Sequence, residues 1–254
     1  KYQEIFFTER EEGILVNTND FTLEGSIKNL FVLNTAAIKN IGFKFSLLNG
    51  KLVTDYFHAS GFNAQYNFSV DSNLNFYWPK IEYAFTVSGL DLQMFAADAH
   101  LRGNYAGLIS MEESYKSDFY KMSQLLENAK YSYTVKGEKL ELNGTDIQRK
   151  ADELIRDSQI STDISSLSIQ NFEYNYRFVF QEKSIGALYV NSDKFNFSVR
   201  AKIDSDDFST PVKINFPQDK SVLKVKLIFN TGDDFPYLYN EEQDSSFYMK
   251  DIFH

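Results

Sequence analysis

Cysteine is absent from this chain of 254 residues, tryptophan occurs once and histidine three times. Without cysteine there is no disulfide, no thiolate metal ligand and no thiol nucleophile. His58, His100 and His254 are scattered and lack the converging spacing of a zinc site, so they read as structural or surface histidines. Lysine and arginine form no block, and the net charge is −9. That balance argues against nucleic-acid binding and against electrostatic docking on anionic lipid. No apolar run is long enough to cross a membrane as a helix, and no signal peptide is present. Gly-x-Ser-x-Gly elbows, phosphate-binding loops and Rossmann fingerprints are missing as well. Neither an enzyme nor a resident cofactor is expected, apart from a bound lipid or pigment.

The chain opens at Lys1 rather than Met, which fits either a removed leader or an artificial start; the expected compartment is secreted or extracytoplasmic. Asn67-Phe68-Ser69, Asn143-Gly144-Thr145 and Asn196-Phe197-Ser198 match the N-glycosylation triplet, a pattern common by chance.

What the chain has in quantity is aromatic side chains, 24 Phe and 16 Tyr, which bury large areas and favour pleated surfaces. They fall in alternation. In FNAQYNFSVDSNLNFYW, Phe62, Ala64, Tyr66, Phe68, Val70, Leu74, Phe76 and Trp78 sit on one parity, and Asn, Gln, Ser and Asp fill most of the other. Such alternation means strand, with one dry face. As one strand it would be about 56 Å long at ~3.3 Å per residue. A turn at Asp71–Asn73 is therefore expected to split it, with Pro79 ending the second strand.

Asn49-Gly50 marks a two-residue hairpin loop. Folding there pairs Leu47 with Leu52, Phe45 with Thr54 and Phe43 with Tyr56, and puts Ile41 and His58 on the same face. Lys44 then meets Asp55 on the other face. Upstream, Phe21, Leu23, Gly25 and Ile27 alternate; downstream, Ile81, Tyr83, Phe85 and Val87 do so, with Leu90, Leu92 and Met94 continuing.

The period then changes. Ser110-x-x-Glu113 is a capping box, and Met111, Tyr115, Phe119, Met122, Leu126 and Ala129 follow at three- and four-residue steps, which predicts a helix over 111–129. A hairpin with Gly137-Glu138 as its loop is expected next, then a shorter helix opened by Thr145-x-x-Gln148, with Ile147, Ala151, Leu154 and Ile155 inward. Strands resume at Leu167–Phe180, Phe195–Ile203, Val212–Phe216 and Leu223–Phe229, and residues 230–254 hold one more short strand. There is no βαβ alternation, so the sheet is antiparallel. The fold class is mainly β (α+β): a long, curved antiparallel sheet or half-barrel wrapped on one long and one shorter helix. One elongated domain, 1–254, is expected, with halves 1–110 and 111–254.

Acidic clusters carry little chemistry. Asp204-Ser205-Asp206-Asp207 starts like a calcium loop, yet Ser209 and Asn215 stand where glycine and glutamate belong, so a solvated turn is the better reading. Glu112-Glu113 opens the expected helix, and Glu241-Glu242 sits in a polar tail.

The run FTLEGSIKNLFVLNTAAIKNIGFKFSLLNGKLVTDYFHASGFNAQYNFSV resembles the lipid-binding TULIP superfamily, in particular its takeout, juvenile-hormone-binding and mite group 7 allergen branch. The resemblance implies a long bent antiparallel sheet around a long helix, here 111–129, with a lipid or hydrophobic hormone held between them. In texture the chain is also similar to bacterial surface lipoproteins built as an open half-barrel with an apolar concave face. The expected function is a non-enzymatic carrier of a lipid or other hydrophobic small molecule. Its expected lining is Phe43, Phe45, Tyr56, Tyr66, Phe68, Phe76, Trp78, Tyr115, Phe119 and Met122. The alternative is a surface, adhesion or structural interaction protein with a packed β core.

Overall fold

The computed structural model describes residues 6–10, 13–17, 20–74, 79–118, 124, 128–145, 148–149, 152, 160–164, 166–179, 184–203, 208–229, 237–240 and 245–248. Strands dominate them. β1 (Phe6–Arg10) and β2 (Gly13–Asn17) pair as a small sheet of their own. Next come β3 (Phe21–Leu33), β4 (Ala36–Leu48), β5 (Lys51–Ser60), β6 (Gln65–Asn73) and β7 (Lys80–Asp91). The helix α1 (Leu92–Asp98) is followed by β8 (Asn104–Asp118), β9 (Lys130–Asn143) and β10 (Ser166–Val179). The chain closes with β11 (Ser184–Ser192), β12 (Asn196–Ile203), β13 (Phe208–Phe216), β14 (Ser221–Phe229), β15 (Tyr237–Asn240) and β16 (Ser245–Tyr248). β3 to β16 form one 14-stranded meander in which each strand bonds to the next in sequence, and the registered pairs are antiparallel. The mainly β, antiparallel expectation holds.

Several local expectations are corrected. Residues 111–118 of the expected long helix are extended and form the end of β8. The sequence there has good helix formers, but Tyr115 stacks on Tyr83 with ring centroids 5.5 Å apart and Glu113 accepts the Tyr83 hydroxyl at 2.9 Å. Cross-strand partners of this kind override intrinsic propensity. Gln124 is helical and its carbonyl accepts the Asn128 N–H at 2.9 Å, and the rest of 119–127 lies outside the described residues. The hairpin at Gly137-Glu138 is absent: β9 passes straight through, bonded to β8 on one side and β10 on the other. β6 likewise runs through the expected turn at Asp71–Asn73. Ser72 is buried there and accepts the Glu82 N–H at 3.1 Å, and Asn73 pairs with both Lys51 and Lys80. Leu92 and Met94 belong to α1 instead of a strand. Asp91 caps it, its Oδ1 accepting from the N–H groups of Gln93 (2.9 Å) and Met94 (3.1 Å).

The second capping box does form. The Gln148 N–H donates to Thr145 Oγ1 at 3.2 Å, and Gln148 Oε1 accepts the Gly144 N–H at 2.6 Å. Gln148, Arg149 and Asp152 are helical, while Ile147, Ala151, Leu154 and Ile155 lie outside the described residues.

The chain divides into two compact units. Unit 1 comprises 1–90, 110–134 and 177–183; unit 2 comprises 91–109, 135–176 and 184–254. Unit 2 holds the large buried apolar cluster. Leu188 and Val190 of β11, Val212, Ile214 and Phe216 of β13, and Leu223, Val225 and Leu227 of β14 point into it by strict alternation. Leu92 and Ala96 of α1 and Ile164 from the 160–164 segment join it, with further side chains from β8, β9, β10, β12 and β15. That segment is pinned by Asp219, whose carboxylate accepts from the Ser161 hydroxyl at 2.6 Å, the Thr162 N–H at 2.9 Å and the Thr162 hydroxyl. These bonds hold the Asp219 carboxyl below its usual range.

Candidate functional site

Unit 1 has a different construction. Its strands β3 to β8 present two unlike faces, and the phase between them is set at the β4–β5 hairpin. Asn49 (φ 49°) and Gly50 (φ 71°) supply the left-handed pair that a tight hairpin turn requires. Leu47 pairs with Leu52 and Phe45 with Thr54, as expected from the sequence. Then Asp55 is inserted as a bulge, so that Lys44 faces Tyr56 and Phe43 faces Phe57. Asp55 is held by the Ser46 hydroxyl, which donates to its Oδ2, and by Lys44 Nζ at 3.9 Å. The expected Lys44–Asp55 pair therefore exists, within a shifted register.

The first face is aromatic. Phe43 stacks on Phe45 at 5.4 Å, and Phe45 reaches over the small Thr54 to meet Phe68 edge-on at 5.8 Å. Phe57 also packs on Phe68 at 5.8 Å. Phe68 stacks on Tyr83 at 6.2 Å, and Tyr83 on Tyr115 at 5.5 Å. These six rings form one continuous ridge from β4 to β8, all of them half-buried. On β3 the same face carries Leu23, Ile27 and Phe31, exposed by 53, 41 and 64%. Between them Gly25 lies under the Phe43 ring: an added Cβ would stand 2.6 Å from Phe43 Cζ, so glycine lets the ring fold down onto the edge strand. Polar handles are few. Burial pushes the Tyr83 phenol up to about 12, helped by its hydrogen bond to Glu113 and that carboxylate's charge. Tyr133 is raised by burial and by Glu113.

Of the expected lining residues, Phe43, Phe45, Phe68 and Tyr115 come together on this ridge. Tyr66 shares the face but is buried, its hydroxyl donating to the Gly61 carbonyl at 3.2 Å. The Asp55 bulge turns Tyr56 to the opposite face, where it donates to Glu24 Oε1 at 3.1 Å and stacks on His58 at 5.9 Å. Phe76, Trp78, Phe119 and Met122 lie outside the described residues. Phe57 and Tyr83 were missed by the sequence reading. Tyr83 was legible from the Ile81–Val87 alternation, whereas Phe57 had no signal, because its parity is set by the bulge.

The second face is polar and bears a half-open groove of about 390 Å³ across β6 to β10. Ser69, Ala84, Ser114 and Ser132 form a row of small side chains along it. Beside that row run Asp71, Glu82, Lys116 and Lys130, with Arg177 at the β10 end. A second groove, of about 330 Å³, lies in unit 2 between α1 and the β8–β9 pair. Among the described residues no group of three or more His, Asp or Glu side chains is placed to hold a metal ion. Asp204–Asp207 and Glu241-Glu242 lie outside those residues. No described helix is long and apolar enough to cross a membrane.

Compared with protein-family models, curated proteins and solved structures, the chain matches none.

Proposed function

We propose that this protein is a binding protein that takes up a lipid or another hydrophobic small molecule on the aromatic face of unit 1. The observation that carries this reading is the ring ridge itself: Phe43, Phe45, Phe57, Phe68, Tyr83 and Tyr115 run unbroken over five strands and stay half-exposed. Soluble proteins seldom leave a contiguous apolar surface open without a use for it. Ring edges give a dry, adaptable bed for an acyl chain or a flat polycycle, and the Tyr83–Glu113 pair offers one polar anchor beside it. The TULIP resemblance points to the same class of cargo. In that family's arrangement the cover comes from a helix, and the helical turn at Gln124, just beyond β8, is the place to look for one.

The test is uptake of a fluorescent fatty acid, with native mass spectrometry of the purified protein for co-purifying lipid. Saturable uptake that falls at least tenfold in a Phe45→Ser, Phe68→Ser double variant is the expected result. Absence of both uptake and bound lipid rules the reading out.

A surface or adhesion protein is the second reading, and the edge strand β3 favours it. Leu30 and Val32 are also exposed there, on the face opposite Leu23, Ile27 and Phe31, so β3 offers apolar side chains on both sides. A Phe31→Ser variant that loses a protein partner but keeps fatty-acid uptake assigns β3 to that role.

A further inference from the structure

The groove on the polar face of unit 1 has a charge pattern that the fold alone does not explain. The Ser114 and Ser132 hydroxyls meet at 2.7 Å across the neighbouring strands β8 and β9, and Lys116 and Lys130, each two residues along from them, line the same groove. Like charges brought together across neighbouring strands destabilise a sheet. Arg177 adds a third cation on the next strand. The acids in the groove are already countered: Lys51 holds Asp71 at 3.6 Å and Lys80 holds Glu82 at 2.6 Å. Lys116 reaches Glu82 only at 3.9 Å. Lys130 and Arg177 have no side-chain partner among the described residues. In a chain of net charge −9, the groove lining carries three cations against two acids.

We propose that the groove binds a small anionic ligand carrying two or more adjacent phosphate or carboxylate groups. One oxyanion between Lys116 and Lys130 turns a repulsive pair into two attractive ones. The planar guanidinium of Arg177 takes a second oxyanion with paired N–H donors. The Ser69, Ser114 and Ser132 hydroxyls supply neutral donors along the floor. The volume of about 390 Å³ falls within the range of small-ligand sites. Five strands spaced ~4.8 Å apart make the groove roughly 19 Å long, room for more than a lone phosphate. The site lies on the face opposite the ring ridge and does not depend on the hydrophobic-ligand reading.

The experiment is calorimetric titration of the full chain with inorganic pyrophosphate and, separately, with tricarballylate. Saturable binding with a Kd of about 1 mM or tighter is expected from at least one of them. Binding of pyrophosphate alone assigns a phosphate ligand, and binding of tricarballylate alone a carboxylate ligand. Lys130→Gln and Arg177→Gln should each weaken binding about tenfold or more, a loss of ~1.4 kcal/mol. Lys28→Gln, on β3, should leave it unchanged. Lys130→Gln should also raise the thermal midpoint of the ligand-free protein, because it relieves the repulsion between the two lysines. No saturable binding of either anion, or binding that persists in a folded Lys130→Gln, Arg177→Gln double variant, overturns the proposal.

Discussion

Units 1 and 2 use the same alternating antiparallel strands and reach opposite ends with them. In unit 2 the inward positions are mostly Leu, Ile and Val, and they close into one buried cluster reinforced by α1. In unit 1 many of the corresponding positions on β4 to β8 are Phe and Tyr, and the six ridge rings among them are only half-buried. Branched aliphatic chains interdigitate with side chains from a facing element and fill space in depth. Rings on neighbouring strands stack along the sheet instead, gaining contact sideways and leaving their outer edges open. Of the two patterns, only the first builds a core; the second builds a surface.

Truncation is the strongest way to break this comparison. Phe216, with 2% exposure, should cost ~3–5 kcal/mol when replaced by alanine, as expected for a buried aromatic. Phe68→Ala removes a half-buried ring that touches Phe45, Phe57 and Tyr83 and should cost only ~1–2 kcal/mol, since its partners lie beside it along the sheet and do not enclose it. Urea unfolding of both variants decides the matter. Equal losses mean that the ridge is a core after all.

Alkali gives a more selective test. The Tyr83 phenol is raised from 10.0 to about 12, so the fold favours its protonated form. That contribution is complete below pH 10 and is lost as pH rises through 12. Amide exchange should show unit 1 loosening over that window, and Tyr83→Phe should remove part of the decline.

Acid should act on the other unit, with the smallest effect. The Asp219 carboxyl is lowered by the Ser161 and Thr162 hydrogen bonds. Its contribution is present above the unfolded carboxylate value, ~3.9, and fades as pH falls through the lower folded value. Asp219→Asn should flatten the acid dependence of exchange at residues 160–164 and leave the alkaline response of unit 1 untouched.

Much of this was legible in the sequence wherever alternation was strict. The runs at Phe21–Ile27, Tyr66–Val70, Ile81–Val87, Val212–Phe216 and Leu223–Phe229 each became the strand expected of them, although Leu23 and Ile27 on β3 stay exposed. What failed were decisions between two patterns that the same residues satisfy. Met111 and Tyr115 fit a helical stripe, but Tyr115 and Glu113 also fit a strand face, and the partner that decides, Tyr83, lies some thirty residues upstream. Gly137 carries a turn residue's chemistry, yet β9 is flanked on both sides and stays extended. The seven-residue α1 was too short for a period to show, although Asp91 before Leu-Gln-Met-Phe-Ala-Ala is a sound cap and helix-former run. The polar groove was invisible because its lining comes from five strands far apart in the sequence, at most three residues from each.

The bulge at Asp55 acts as a parity switch. One additional residue reverses which side chains of β5 face the ridge, bringing Phe57 in and sending Tyr56 and His58 out. Deleting Asp55 removes the bulge and keeps the faces, with Phe57 still opposite Phe43 and Tyr56 opposite Lys44; pairing Asp55 into the ladder is what exchanges the two sets. Whether one residue is paired in the ladder or bulged out of it thus decides the chemistry of both faces of the strand.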